Sequence, residues 1–369
     1  MQPMDLELSV VNSIAEVSAA QWDACAGGHP FVQHAFLMAL ESSGIFSRER
    51  GVLPRYVLVK NADQDLVACA PAMLKWGTFR EYGPERRWLS KGLQAGCFAW
   101  PKFQVGVPLF PVMGPKLLVR EGFSEPPLQT VLLRGLNQLA QRADQKPVFN
   151  VMHINELTAR HCHSQGALVA GEWHSMWTNT GHVDTTSYLA SLPKRRRNQF
   201  QVDRRMANAH GLTFKVLHSH ELTDELLADY YEGHHRVCER YGGQPWLPLS
   251  AYIAIVRAMP AETILMACFD GPRYVAGTLN LHARAESTLY MLQWSELEKL
   301  NSVAVDLLCN RSIEYALEHG IAKIDSGLTA AHKEHRGWQN TPVFHAHWFY
   351  NDELKNLAKQ QLARHAGQP

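Results

Sequence analysis

A β-hairpin written twice is the feature that most constrains how this chain folds. "RYVLVKNADQDLVACAPAMLK" (55–75) sets two strand-forming runs around a polar turn at Asn61 to Asp65. "TILMACFDGPRYVAGTLNLHA" (263–283) repeats the device around Asp270-Gly271-Pro272, and "STLYMLQWS" adds a third strand. Apolar, β-rich runs flanking a short Asn/Asp/Gly turn pair antiparallel. The matching Val67-Ala68 and Val275-Ala276, in the same place after each turn, predict two related α/β lobes. At 369 residues the chain has room for both.

Helix signals surround the hairpins. Ser18 precedes "AAQWDACA", and Gly27-Gly28 stops it; "FVQHAFLMALESSG" ends at Gly44. "PLQTVLLRGLNQLAQRADQ" has a helical period and "PVFNVMHI" reads as a strand. In the second half, "NSVAVDLLCNRSIEYALEHG" reads as a helix with Ser302 as N-cap and Gly320 just past its end, and "IAKIDSG" follows as a buried strand. The expected fold class is α/β with mixed sheets: two acetyltransferase-like lobes in tandem with a cleft between them. The boundary is expected near residue 178, giving lobes 1–178 and 179–369.

Composition narrows the function. Hydrophobic residues make up 46% and charged residues 19%, with a formal net charge of +1, so any contact with a polyanion must be local. The seven cysteines are odd in number, scattered and without a CxxC pair, which implies reduced thiols and a cytoplasmic protein. The start "MQPMDLELSV" lacks a basic, then apolar, leader, and no apolar run approaches the ~20 residues of a membrane helix. The sequence contains no G-x-S-x-G, no P-loop and no G-x-G-x-x-G after a strand. His161 and His163, His345 and His347, and His332 and His335 are closely spaced, yet none matches a zinc pattern, and no metal is expected.

Charge is concentrated in "LPKRRRNQFQVDRRMANAHG" (192–211), which holds six Lys and Arg against one acid, Asp203. As a helix, it places Arg197, Gln201, Arg204 and Asn208 on one face and Gln199, Val202, Met206 and Ala209 on another. A solvated amphipathic helix would look like this; so would a grip on phosphate, since guanidinium forks bind phosphate oxygens in pairs. The excess of cations favours an anionic partner. A second polar cluster, "SGLTAAHKEHRGW" (326–338), follows the buried strand, and the carboxyl ends of such strands are common ligand sites. Asp325 ends that strand and Asp306 lies among apolar neighbours in a helix; either could serve as a base in a cleft. Tyr290 and Trp294 suit a core or cleft wall.

Taken in order, "SLPKRRRNQF…MANAHG", "DGPRYVAGTLNL", "STLYMLQWS", "SIEYALEHGIAKIDSG" and "HKEHRGW" resemble the Fem-like acyltransferases of the Gcn5-related superfamily. The likeness is to the peptidoglycan biosynthesis/recognition branch and includes His332-Lys333, Arg336-Gly337 and His347-Trp348. It implies an acyltransferase that forms an amide from an aminoacyl-tRNA or acyl-CoA donor and an amine, in cell-wall or small-molecule biosynthesis, with no tightly bound cofactor. Lys194, Arg196, Arg197, Arg204, Lys333 and Arg336 would bind the donor, with Asp306, Asp325 or His332 catalytic and Tyr290 and Trp294 in the cleft. The acceptor would be a small-molecule or cell-wall-precursor amine. The chain departs from the branch where Tyr290-Met291-Leu292-Gln293-Trp294-Ser295 lacks the usual arginine, and where "LEKLNSVAV" replaces a pyrophosphate loop. The alternative is a non-catalytic protein that binds RNA or a cell-wall precursor on a transferase scaffold.

Overall fold

A computed structural model describes residues 5–77, 83–97, 100–142 and 148–364. The chain forms two compact units, residues 1–173 with 342–369, and residues 174–341. The division differs from the expected one at its far end: the segment from Pro342 onward joins the first unit rather than the second. The last residues of the expected helix 127–145 lie outside the described residues.

The first unit is built on β1 (Glu7–Val11), β2 (Val52–Lys60), β3 (Leu66–Lys75), β4 (Lys102–Val105), β5 (Leu118–Val119), β6 (Phe149–Ile154), the start of β7 (Leu168–Thr178) and the main part of β13 (Gln339–Trp348). Its sheet order is β1-β2-β3-β4-β6-β13-β7, with β5 on β3. The first hairpin is β2–β3, in antiparallel register from Val52↔Lys75 to Lys60↔Leu66, as its polar turn requires. The long helix Glu125–Arg142 turns Leu128, Leu132, Leu133, Leu136 and Ala140 onto the sheet at three- and four-residue spacing. β13 pairs antiparallel with β6, and the late strand thereby lies inside the sheet, between β6 and β7.

The second unit contains β8 (Thr213–His218), β9 (Thr263–Asp270), β10 (Arg273–Ala283), β11 (Thr288–Glu296) and β12 (Lys323–Leu328), with the end of β7 against β12. β9, β10 and β11 form the expected antiparallel set, while β11 and β12 run parallel. The helix Asp224–Arg240 lies close on β11. Gly233 allows that approach, because a Cβ there would stand 3.0 Å from the Glu296 nitrogen. The expected helix after β11 spans Val303–Glu318 and widens to a π-helical stretch at Asp306–Arg311. Trp177, Ile264, Met266, Leu289, Ile313, Ile324 and Trp338 form the core. All seven cysteines are free of disulfides. No helix among the described residues is long and apolar enough to cross a membrane.

Candidate active site

β12 is a strand because Ile324 and its neighbours bury against the core. Gly327, one residue before its end at Leu328, has a φ of 72° and turns the chain in a way side-chain-bearing residues resist. Its parallel register with β11 covers Thr288↔Lys323, Leu289↔Ile324 and Tyr290↔Asp325 and goes no further. Ser326 and the following loop therefore leave β11 and turn toward the end of β7. Four groups meet there. His174 Nδ1 lies 3.3 Å from Asp325 Oδ1, and the Gly327 N–H donates to the same oxygen at 2.8 Å. Lys333 Nζ donates to Ser326 Oγ at 2.7 Å, and that hydroxyl donates to the Ser175 carbonyl at 2.8 Å. The Lys333 ammonium also stands 5.6 Å from the Trp338 ring centroid.

The electrostatics follow from burial. Asp325 is 2% exposed. Burial pushes its carboxyl up, but His174, the Gly327 N–H and Lys333 outweigh this and hold it below the usual carboxylate range. Ionised Asp325 fixes the ring of His174 through Nδ1–H. Burial pulls the Lys333 ammonium below the usual lysine range, against the opposing charges of Cys309 and Asp325. His332 is exposed on the short helix Ala331–Glu334; partial desolvation and the nearby charges of Lys333 and Arg336 lower its imidazole.

The basic segment is a helix, Lys194–Asn208, but its buried face is Phe200, Asp203 and Ala207. Met206, expected inside, is 36% exposed. Asp203 is buried because Arg336 reaches it: Nε lies 2.6 Å from Oδ2, and a second guanidinium nitrogen lies 3.2 Å from Oδ1. Arg336 also donates to the His332 carbonyl at 2.7 Å. One arginine thus fastens the basic helix to the short helix Ala331–Glu334 that bears His332 and Lys333, and Arg336, expected on donor phosphate, is engaged in this contact. Gly337 follows at φ 94°, where a Cβ would meet the Tyr188 hydroxyl at 2.7 Å.

Arg204 and Asp306 are joined to each other. Arg204 Nε donates to both Asp306 oxygens at 3.0 Å, and its two terminal nitrogens donate to Glu314 at 3.0 and 2.7 Å. Burial opposes its charge, but Glu314 and Asp306 raise it above the ordinary arginine range. Asp306 is 1% exposed and also accepts from Arg311 Nε at 2.9 Å and Asn310 Nδ2 at 3.0 Å. The structure thus places Asp306, expected as a candidate base, inside a buried network with Arg204, Arg311 and Asn310. Tyr290 is buried and donates to Glu286 at 2.9 Å; burial and the charges of Glu286 and Asp325 raise its hydroxyl. It is thus core rather than cleft wall. Trp294 is half-buried, and its carbonyl accepts from His234. Lys194, Arg195 and Arg196 stay exposed on the first turn of the basic helix, with Arg197 half-buried behind them.

Sequence reasoning missed a polar file inside the first unit. Between Val151 and Ile154 the β6–β13 register slips, and His153 takes φ 54°. A bulge re-aims a side chain, and here it brings His153 to Glu172: Nε2 lies 3.3 Å from Oε1, while His345 Nε2 lies 2.8 Å from the same oxygen. Burial raises the Glu172 carboxyl, but the two imidazoles drive it far below the usual range. Beside them, His347 Nδ1 meets Asn150 at 2.8 Å; Asn150 donates to Glu85, which also accepts from Lys102, each at 2.8 Å. The pairing of His345 with His347 at i,i+2 was the one available signal.

Strands in mixed directions with a parallel pair in each unit, β4–β6 in the first and β11–β12 in the second, and helices packed on them define a mixed α/β protein. The chain belongs to the FemAB-like family, described as peptidoglycan biosynthesis/recognition, which matches residues 13–368. No curated protein matches it in sequence. Among solved structures it resembles the C-terminal DUF2156 domain of a putative lysylphosphatidylglycerol synthetase from Agrobacterium fabrum, at 10% identity and TM-score 0.56, covering 96% of this chain and 97% of that one. L-PGS from Bacillus licheniformis is similar at 11% identity and TM-score 0.54, over 89% and 96% of the two chains. A conserved protein of unknown function from Bacteroides thetaiotaomicron matches at 8% identity and TM-score 0.54, over 93% and 100%.

Proposed function

We propose that the chain transfers an acyl or aminoacyl group from a phosphate-bearing carrier, aminoacyl-tRNA or acyl-CoA, to an amine, with the chemistry at the carboxyl end of β12. One observation carries the reading. A buried lysine held on a serine hydroxyl, beside an ion-paired Asp325 and His174, shares its short helix with an exposed imidazole, and Arg336 fastens that segment to the helix bearing Lys194, Arg195 and Arg196. The exposed cations attract carrier phosphates. His332, biased toward its neutral form, accepts the proton of the attacking amine. Asp325 positions His174 and takes no proton itself. Family membership supports aminoacyl-tRNA as donor and a cell-wall-precursor amine as acceptor.

The test supplies purified protein with charged tRNA and, separately, with acyl-CoA across an amine panel. The expected result is saturable, amine-dependent consumption of one donor, with a raised KM for that donor in Lys194→Ala and Arg196→Ala. If neither donor is consumed, the reading fails; salt-sensitive RNA binding without turnover would mark a non-catalytic binder instead.

A further inference from the structure

Around Glu172 the described residues bring imidazole and carboxylate groups close enough to share a metal ion. Glu172 comes from β7, His153 from β6 and His345 from β13, three neighbouring strands of the first unit. His153 Nε2 stands 3.3 Å and His345 Nε2 2.8 Å from Glu172 Oε1, so both imidazoles converge on one oxygen. Their rings lie edge to face, with centroids 4.6 Å apart. None of the three side chains is more than 8% exposed. Local spacing could not mark this group, since 173 residues separate Glu172 from His345.

Charge, backbone and spacing all point to a cation. Glu172 is ionised, yet among the described residues no lysine or arginine pairs with it. His345 Nδ1 is buried without a hydrogen-bond partner among the described residues, so a second proton on that ring would be a charged donor with no acceptor. The site therefore favours the neutral ring, which is the metal-ligating form. The buried carboxylate keeps a negative charge that a bound cation cancels. His153 aims at Glu172 from a left-handed φ of 54°, a conformation that a side-chain-bearing residue holds only where its surroundings impose it. Two ligands at about 2.0–2.1 Å on a tetrahedral ion lie about 3.3 Å apart. His153 already stands at that separation, and His345 opens by about 0.5 Å when an ion replaces the shared proton. Two imidazoles and a carboxylate suit zinc and its neighbours, whereas calcium and magnesium take oxygen ligands.

Independently of the transferase reading, we infer that His153, Glu172 and His345 bind one divalent transition-metal ion, of which Zn²⁺ is the type. The ion ties β6, β7 and β13 together and leaves a fourth position for water.

The experiment uses the untagged full chain, stripped with a chelator and titrated with Co²⁺, whose visible absorption reports ligation at low coordination number. The expected result is one Co²⁺ per chain, bands that vanish on adding Zn²⁺, and one Zn²⁺ per chain retained after desalting. In Glu172→Gln and, separately, in His345→Asn, the Kd for Zn²⁺ rises about a hundredfold or more, since losing a ligand exceeds losing an outer partner. His163→Asn, at an exposed histidine, leaves the Kd unchanged. Zn²⁺ also raises the urea midpoint of the wild type, and that gain disappears in Glu172→Gln. Circular dichroism confirms that the variants are folded. A wild type that retains no metal overturns the inference and marks Glu172 as held by its histidines alone. Binding that survives in both ligand variants overturns it too, because the ion then sits on other histidines. Donor consumption is measured separately, so neither result touches the transferase reading.

Discussion

Asp306, a candidate base by sequence, sits in a buried ion-paired network, and Asp306→Asn tests whether that network is its role. The substitution keeps volume and shape but removes the charge that two arginines share. The wild-type carboxylate is 1% exposed and meets Arg204 at 3.0 Å, Arg311 at 2.9 Å and Asn310 at 3.0 Å. Removing one partner of a buried ion pair costs about 3–5 kcal/mol, because the other charge is left uncompensated. Arg204 is 24% exposed and keeps Glu314, so the lower end applies, about 3 kcal/mol. For a unit of this size that lowers Tm by about 6–12 °C. The assay is urea unfolding followed by tryptophan fluorescence, which Trp177 and Trp338 in the second unit's core report. Arg204→Met completes a double-mutant cycle, with an expected coupling of about 1–3 kcal/mol. A stability change below about 0.5 kcal/mol with collapsed activity would refute the structural assignment and restore Asp306 as the base.

Two further outcomes follow. Gly337→Ala places a Cβ 2.7 Å from the Tyr188 hydroxyl at a φ of 94°, so it destabilises the second unit by about 2 kcal/mol in chemical denaturation; a neutral result would mean that the loop shifts freely. Burial pulls the His347 imidazole down to about 3 from an ordinary 6.5, so over that window the unfolded chain binds the extra proton, and stability falls as pH drops. This contributes a slope of up to about 1.4 kcal/mol per pH unit. His347→Asn should flatten the pH dependence of unfolding below 6.5, and an unchanged slope would show that another group titrates.

Local chemistry was legible in the sequence where local chemistry decides. Both hairpins follow from their polar turns, and the helices from their caps and periods. β8 escaped because "TFKVLH" is only partly buried and carries weak apolar contrast. β13 escaped because His345, Ala346, His347 and Trp348 are all buried, so no polar–apolar alternation marks it. The face of the basic helix was misplaced for a related reason. Asp203 turns inward because its partner Arg336 lies 133 residues away, and Arg204 is occupied by Asp306 across 102 residues. Periodicity reads polarity along one element and is blind to a counter-charge supplied by another. The same blindness hid the Glu172 cluster, assembled from strands far apart in the chain, and the Lys333–Ser326 contact was legible only as a crowd of polar residues.

The placement of β13 between β6 and β7 has a consequence for synthesis on the ribosome. Everything up to Trp173 can emerge while the strand that fills the middle of its sheet has not yet been translated. Before the residues from Pro342 onward are made, the first unit lacks the strand that lies between β6 and β7 and has a gap in its hydrogen-bond ladder. A chain truncated before Pro342 keeps that gap, and limited proteolysis would display it as faster cleavage in the first unit than in the full chain.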